Sequence, residues 1–262
     1  MKLIFQFSVI ILGFVSLSFY SCSQVQSEQT KSQYTERPIN KIRKDSLVFE
    51  PYLEKLSKLA DTSHLKRFER EILKFEEEDS LNGFPLYAAL FVGSSSIRKW
   101  SNLKDSMKPI TVINRGFGGS TMEELVFYFP RIVYKYKPKN ILVYEGDNDL
   151  STAGNSPEQF AEVFDLFLEI CADVLPDSRI YFISIKPSPA RMRYFDKMQK
   201  GNRLIKDKCR NNNRLTYINV STPMFEKNGK LKNDIFLKDR VHMNEKGYEI
   251  WNSIIKAQLL DR

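Results

Sequence analysis

The chain has 262 residues, 42% hydrophobic and 13% aromatic, with a formal net charge of +8 at pH 7. This composition is ample for a packed core of one large or two small domains and excludes a largely disordered protein. The basic residues are scattered through predicted helices and no nucleic-acid-binding motif is present. We therefore expect a solvated basic exterior and no nucleic-acid partner, although a nearby anionic surface or glycan also suits the charge.

Residues 1–21 have the pattern of an export signal. Lys2 is followed by an apolar run from Leu3 to Phe19, and the small residue Ser21 precedes Cys22. The run is marginal for a membrane span, which needs about 20 apolar residues, and its flanks suit cleavage. The ending resembles a bacterial lipoprotein signal, in which Cys22 is lipidated and becomes the first residue of a membrane-anchored protein of the cell envelope. Ordinary cleavage without lipidation is the alternative.

Residues 22–44 are rich in Ser, Gln, Thr, Lys and Glu and poor in apolar side chains, so we predict a flexible tether. The domain predicted from 45 to 262 follows it. Within that domain, residues 47–80 carry apolar side chains at helical spacing, which predicts two helices packed on the main body. The spacing is clearest at Leu65, Phe68, Ile72 and Phe75.

Five short apolar runs, separated by helical patterns, follow Gly83. They are Tyr87–Val92, Ile110–Ile113, Ile141–Tyr144, Ile180–Ile185 and Leu215–Val220. Strands that are apolar on both faces and joined by helices are typical of a parallel sheet covered on both sides. We therefore predict a three-layer α/β/α sandwich with a five-stranded parallel sheet, whose ligands bind at the carboxyl ends of the strands.

Two helices have clear starting signals. Ser156, Pro157 and Gln159 supply an N-cap, a proline at the first helical position and a capping-box partner. The last helix is predicted to start near Asn244. Its predicted buried residues are Trp251, Ile254 and Ile255.

The cysteine and histidine content argues against a metal cofactor. Cys171 lies on an apolar helical face, which favours a buried thiol over a disulfide with Cys209. The sequence has no CxxC motif or His/Cys cluster, and only two histidines. A multi-histidine metal site is therefore excluded.

The first candidate segment, Gly93-Ser94-Ser95-Ser96, follows the first predicted strand. It would present a hydroxyl at a helix N-terminus, as a nucleophile requires, and an ordinary N-cap is the alternative. The GxSxG elbow of α/β-hydrolases is absent because position 97 is Ile.

The second and third segments follow the next two predicted strands. Gly116-Phe117-Gly118-Gly119 resembles a dinucleotide loop, but the third glycine of that motif would fall at Thr121. The glycines suit either backbone N–H donors to a substrate oxygen or a plain tight turn. Asp147-Asn148-Asp149 lacks the glycine and glutamate of a calcium loop, and Asn148 can offer a neutral amide donor instead.

The fourth segment, Asp239-Arg240-Val241-His242, places an acid three residues before one of the two histidines. The other histidine, His64, falls on a predicted helix before the core, and we expect it at the surface. The loop from Lys186 to Arg191 follows the fourth strand. It either lines the cleft, with Arg191 meeting an anionic or sugar substrate, or is a surface loop shaped by its prolines.

In this order and on this fold pattern, the four segments resemble the SGNH hydrolases, also called the GDSL-like esterase and lipase family, over about residues 84 to 260. The resemblance implies that Ser95 is the nucleophile, His242 the base and Asp239 its orienter. It also implies that Gly119 and Asn148, together with the Ser95 N–H, form the oxyanion hole.

This chain departs from the family signature in two places. The usual Gly-Asp-Ser is Gly93-Ser94-Ser95, and the acidic residue that often follows the second glycine block is Ser120. Ser94 and Ser96 therefore remain alternatives to Ser95. The variant Gly-Ser-Ser-Ser-Ile-Arg within the family has the same serines, so the departures do not imply loss of catalysis.

The resemblance implies a serine esterase that acts on small acyl esters and needs no metal or other cofactor. An O-acetylated carbohydrate is the first candidate substrate, and a lysophospholipid or related lipid ester the second. A non-catalytic, glycan-binding surface lipoprotein is the competing interpretation. The complete set of Ser, Gly, Asn and Asp/His residues argues against it, because a binding protein does not need all of them.

Overall fold

The computed structural model describes residues 39 to 261, with side-chain environments from residue 48 onward. The predicted signal sequence, Cys22 and most of the predicted tether lie outside this range. The elements in chain order are α1 (Ile39–Leu59), α2 (Glu69–Asn82), β1 (Ala89–Gly93), α3 (Ser95–Arg98), α4 (Leu103–Met107), β2 (Val112–Gly116), α5 (Met122–Phe127), α6 (Phe129–Ile132), β3 (Asn140–Tyr144), α7 (Pro157–Val174), β4 (Arg179–Ile183), α8 (Phe195–Lys208), β5 (Leu215–Ile218) and α9 (Glu245–Leu260). Short 3₁₀ helices, among them Leu65–Phe68 and Pro189–Tyr194, connect several of these elements.

The five strands form one parallel sheet in the order β2-β1-β3-β4-β5, which confirms the predicted fold class. In a sheet of this order, β2 lies on one side of β1, and β3, β4 and β5 follow on the other side. The carboxyl ends of β1 and β3 therefore lie at the topological switch point, where ligands of such folds bind. The first and third candidate segments follow these two strands.

Each strand contributes to two hydrophobic cores because alternate side chains point to opposite faces of a sheet. Leu90 and Val92 of β1 join the core under α1, α2, α5, α7 and α8. Ala89 and Phe91 join the core under α3, α4 and α9. These two cores give the three layers that the sequence predicts.

The strands end earlier than the apolar runs predict. β4 ends at Ile183 and β5 at Ile218, although Ile185 and Val220 are fully buried. The Ser184 hydroxyl accepts the Val220 N–H at 3.0 Å and so ends the pairing of the two backbones. Burial therefore extends beyond the strand, and apolar runs alone overestimate strand length.

The N-terminal helices pack on the main body as predicted, chiefly against α5, α6 and α7, but α1 begins earlier than predicted. α1 starts at Ile39, inside the predicted tether of residues 22–44 and before the predicted domain start at residue 45. Once a helix is nucleated by a packed segment, residues such as Lys and Arg extend it at little cost. Phe49 of α1 is buried, and its ring lies 5.9 Å from that of Phe129.

Both predicted helix starts are confirmed. The Ser156 hydroxyl accepts the Gln159 N–H at 3.1 Å, and Gln159 bonds back to the Ser156 N–H. Asn244 caps α9, in which Trp251 and Ile255 are buried, whereas Ile254 is only partly buried. Cys171 is a buried free thiol, as predicted. None of the helices between residues 39 and 261 has the length and apolar composition that crossing a bilayer requires.

Candidate active site

Ser95 occupies the turn between β1 and α3. Gly93 at the end of β1 has φ 125°, and a side chain there would place its Cβ 2.0 Å from the Tyr144 carbonyl oxygen on β3. Only glycine allows this approach. The chain then turns at Ser94, and Ser95 begins α3 as a half-buried residue at the sheet edge.

His242 lies on a loop that precedes α9. Arg240 has a left-handed φ of 58°, and the Asp239 carboxylate accepts the backbone N–H groups of Val241 and His242, each at 2.9 Å. The second carboxylate oxygen lies 2.6 Å from His242 Nδ1. Desolvation opposes ionisation of Asp239, but the hydrogen bonds from the His242 side chain and backbone prevail and lower its pKa below the ordinary value.

The fold brings Ser95 and His242 together although they are 147 residues apart: His242 Nε2 lies 2.9 Å from Ser95 Oγ. The neighbouring hydroxyls of Ser94 and Ser96 belong to residues that are only 1% and 2% exposed. Ser95 is therefore the serine of this turn whose hydroxyl both contacts the histidine and borders solvent.

Aromatic packing between α9 and Trp100, two residues beyond the end of α3, supports this contact. The rings of Trp100 and Tyr248 stack with centroids 5.3 Å apart, and Trp100 meets Trp251 edge to face. The Tyr248 hydroxyl donates to the Ser96 carbonyl at 2.9 Å. The segment after Ser95 is thus attached to the helix that follows His242.

Hydrogen-bond donors lie at the ends of β2 and β3. Gly119 has φ 96°, a conformation that favours glycine, and neither its N–H nor that of Ser95 bonds to a residue within the described range. Asn148 donates one Nδ2 proton to the Ser120 carbonyl at 2.9 Å, which leaves the second proton of the amide for another acceptor.

A buried ionic network lies beside these donors. Asp147 contacts Lys186 Nζ at 3.0 Å and Arg191 Nη1 at 2.5 Å. Burial raises the pKa of a carboxyl group, but here the charges of Lys186 and then Arg191 lower the pKa of Asp147 to about 2. The same Arg191 donates to Asn148 Oδ1 at 3.1 Å, and Lys186 donates to the Val241 carbonyl at 2.9 Å.

The structure places Arg191 at the edge of the site, where its guanidinium contacts Asp147 and Asn148 and its side chain is 17% exposed. Its contact with substrate stays a prediction. Sequence reasoning missed the role of Lys186. A signal was present, because Lys186 directly follows a buried apolar run at the carboxyl edge of the sheet.

A second group of buried acids lies under the glycine loop. Ser120 donates to Glu145 Oε1 at 2.5 Å, and Glu145 Oε2 has no partner among the described residues. Burial, followed by the charge of Asp149, raises the pKa of Glu145 well above its ordinary value. Arg67, from the N-terminal region, pairs with Glu124 and donates to the Gly119 carbonyl at 3.0 Å. No local signal predicts that contact, because it depends on tertiary packing.

His64 differs from its predicted position. It lies in a turn before the 3₁₀ helix Leu65–Phe68 rather than on a helix, and it is half-buried at the wall of a cavity of about 440 Å³. The helical prediction is wrong because the spacing of Leu65 and Phe68 also suits a 3₁₀ helix, in which residues three apart share a face. In the range 39–261 no group of three or more His, Cys, Asp or Glu side chains is placed to hold a metal ion.

The family model of the GDSL-like lipases and acylhydrolases matches residues 89–250, more than half of the chain. The chain belongs to this family. As a GDSL-like acylhydrolase it is an ester hydrolase, which confirms the resemblance found in the sequence. The match begins at β1, so α1 and α2 lie before the matched residues.

Solved structures of other proteins have the same fold. A Streptococcus pneumoniae protein assigned as a platelet activating factor has a TM-score of 0.66 at 20% identity, covering 74% of this chain and 94% of that one. A GDSL-like lipase from Bacteroides thetaiotaomicron has a TM-score of 0.61 at 21% identity, covering 72% and 97%. A variant of an acetyl-xylooligosaccharide esterase from Geobacillus stearothermophilus has a TM-score of 0.53 at 18% identity, covering 64% and 92%. A comparison with functionally curated proteins finds no match.

Proposed function

We propose that this GDSL-like hydrolase is a serine esterase in which Ser95 is the nucleophile, His242 the general base and Asp239 the residue that orients the imidazole. The observation that carries the proposal is the chain of two contacts, 2.9 Å from Ser95 Oγ to His242 Nε2 and 2.6 Å from His242 Nδ1 to Asp239. A nucleophile, a base and an orienting carboxylate in hydrogen-bond contact are what acyl transfer through serine requires.

In the first step, His242 Nε2 takes the proton of Ser95 as Oγ attacks the acyl carbon. The carbonyl oxygen becomes negative and accepts hydrogen bonds from the N–H groups of Ser95 and Gly119 and from Asn148 Nδ2. Collapse of this intermediate breaks the ester bond, and His242 returns its proton to the departing alcohol oxygen. An acyl-Ser95 ester remains.

In the second step, His242 takes a proton from water as the water oxygen attacks the acyl carbon. The same three donors hold the oxyanion, the bond to Ser95 Oγ breaks, and His242 returns the proton to Oγ. The products are a carboxylic acid and the free enzyme. Asp239 keeps its charge throughout, consistent with its lowered pKa.

Within this reaction class we favour O-acetyl esters of carbohydrates. The neighbouring Geobacillus structure is named as an acetyl-xylooligosaccharide esterase, and the candidate site here is bordered by charged and amide side chains such as Arg191 and Asn148. Lipid esters are the second candidate, because the streptococcal neighbour is assigned as a platelet activating factor. Release of acetate from acetylated xylan, against release of fatty acid from lysophosphatidylcholine, distinguishes the two.

The test of the mechanism is hydrolysis of p-nitrophenyl acetate and butyrate by wild type and Ser95→Ala. We expect that Ser95→Ala cannot form the acyl-enzyme. The kcat for these esters should therefore fall by about 10⁶. Ser101→Ala, an exposed serine on the following turn, is the matched control. Equal rates for wild type and Ser95→Ala would remove the nucleophile assignment, and a phosphonate probe bound to Ser94 or Ser96 would reassign it.

We also propose that the enzyme is exported and anchored to a membrane of the cell envelope through a lipid on Cys22. The support is the sequence of residues 1–22 alone, in which an apolar run ends at a small residue before the cysteine. Radiolabelled palmitate should enter the full-length wild type but not Cys22→Ala, with Cys209→Ala as control. Label retained in Cys22→Ala would rule out this anchor.

A further inference from the structure

A cavity of about 440 Å³ lies between the N-terminal region and the loops that follow β2 and β3. One wall comes from residues 59–67, including Asp61, His64 and Arg67, which precede the family-matched residues 89–250. The opposite wall includes Thr121, Ala153 and Gln159. The volume falls in the range of small-molecule sites, about 300–1,000 Å³. Residues 59–67, which precede the family-matched part of the chain, therefore supply one side of the cavity.

The side chains of this cavity suit a ligand rich in hydroxyl groups. The His64 imidazole makes no hydrogen bond to a residue of the described range. Gln159 uses its oxygen to cap Ser156 and keeps its NH₂ group, while Asn155 uses its NH₂ group on Glu123 and keeps its oxygen. Hydroxyls both donate and accept, so a mixture of free donors and acceptors matches them.

Other ligand classes match the cavity less well. Only Leu59, Ala60 and Ala153 among its lining residues are apolar, which leaves too little surface for a fatty acyl chain. Asp61 and Glu123 place carboxylates on both walls, and these disfavour a phosphate or another anion. A neutral polyhydroxyl compound remains the best match.

The cavity also lies close to the proposed oxyanion hole. Thr121 is two residues after Gly119, so their Cα atoms are at most about 7 Å apart. Thr152 and Ala153 both donate to the Asn148 carbonyl, at 3.2 and 2.9 Å. A sugar ring in the cavity is therefore close enough to belong to the same glycan as an ester held at Ser95.

We propose that this cavity binds a sugar unit next to the esterified one, so that the N-terminal region selects glycan esters over simple acyl esters. The inference rests on the proposed esterase function. The segment from 59 to 67 supplies one wall, and its Arg67, bonded to Glu124 and to the Gly119 carbonyl, attaches that wall to the catalytic loop.

The test compares kcat/KM on acetylated xylotriose with kcat/KM on p-nitrophenyl acetate in two variants of the full chain. His64→Ala removes one hydrogen-bonding group, and the ratio should fall about three- to tenfold, mainly through KM for the glycan. Ala153→Trp fills the cavity from an exposed loop position, and the ratio should fall more than tenfold. Asn213→Ala and Ala257→Trp, at exposed positions away from the cavity, are the controls.

Binding provides a readout that does not depend on turnover. Unacetylated xylotriose should bind Ser95→Ala, and the added Ala153→Trp change should abolish that binding in calorimetry. If the ratio of kcat/KM on acetylated xylotriose to kcat/KM on p-nitrophenyl acetate is the same in both cavity variants as in the controls, the cavity proposal is overturned. The esterase proposal is unaffected by that result. Hydrolysis of p-nitrophenyl acetate that survives Ser95→Ala overturns the esterase proposal instead, so the two failures are distinguishable.

Discussion

At the scale of single residues, the orientation of the Asn148 amide is the most consequential detail of the site. An amide has a donor end and an acceptor end, and only the donor end stabilises an oxyanion. Arg191 donates to Oδ1 and the Ser120 carbonyl accepts from Nδ2. Both contacts select the orientation in which the second Nδ2 proton is available to substrate. Arg191 is thus placed to act as a positioning residue through Asn148.

Replacing Asn148 with Ala should lower kcat for p-nitrophenyl acetate by about 10²–10³, because one donor of the oxyanion hole is lost. KM should change much less, since the oxyanion forms only after binding. Asn213→Ala, at an exposed position away from the site and the cavity, is a same-type control. A kcat within twofold of wild type would exclude Asn148 from the oxyanion hole.

Replacing Arg191 with Ala should lower kcat for the same substrate by about tenfold, because the Asn148 amide loses one of the two contacts that orient it. Arg191→Lys should restore only part of the rate, since an ammonium group cannot reach Asp147 and Asn148 in the way a planar guanidinium does. Arg193→Ala, an exposed arginine of the same 3₁₀ helix, is the control. A loss confined to KM would indicate substrate binding by Arg191 rather than positioning.

At the scale of elements, helix starts and helix packing determine where the reacting groups lie. α3 starts at the Ser95 turn and α9 starts just after His242, and Trp100, two residues beyond the end of α3, packs against Trp251 of α9. Both tryptophans are at most 1% exposed. Because packed aromatic side chains tolerate little displacement, this contact sets the distance between the two ends of the site.

The capping box of α7 gives a prediction at this scale. Ser156→Ala removes the hydroxyl that accepts the Gln159 N–H, and the free energy of unfolding should fall by about 1 kcal/mol in urea titration. Ser253→Ala, the same substitution at an exposed position of α9, should be neutral or slightly stabilising because Ala is the better helix former there. Equal effects at the two positions would contradict the capping role.

At the scale of the whole molecule, the described buried acids with shifted pKa values fall into two classes with opposite pH behaviour. Asp147, whose pKa is lowered to about 2, contributes stability above its unfolded pKa that is lost as pH falls toward 2. Glu145 has a raised pKa, so its contribution to stability is present below about pH 4.5 and declines as pH rises. The decline occurs because Glu145 ionises in the unfolded chain while it keeps its proton in the folded chain. These two groups should therefore reduce stability as pH falls below about 3.8 and as pH rises above about 4.5.

Glu145→Gln tests the second class. The free energy of unfolding of the variant minus that of wild type should increase between pH 5 and pH 8, by as much as about 1.4 kcal/mol per pH unit. The measurement is urea unfolding across that range, with Glu249→Gln on the surface of α9 as control. A difference independent of pH would show that Glu145 ionises normally in the folded protein.

Much of the fold was predictable because the relevant forces act locally. The apolar runs of β1 and β3 identify buried strands, and the capping residues Ser156 and Asn244 identify helix starts. Strand lengths were predicted less well, because burial and strand pairing are separate properties. Ile185, for example, is buried although β4 ends at Ile183. His64 was misplaced because a helical and a 3₁₀ spacing look alike over four residues.

The sequence by itself determined the family, the parallel sheet and the segments proposed to carry the chemistry, because periodicity, turn residues and motif spacing are local properties of the chain. Only the tertiary structure decided that Ser95 rather than Ser94 or Ser96 meets His242, that Lys186 and Arg191 share Asp147, and that Arg67 bonds to the Gly119 carbonyl. These are distances between residues far apart in sequence. They arise from the packing of whole helices on the sheet, which no local pattern specifies.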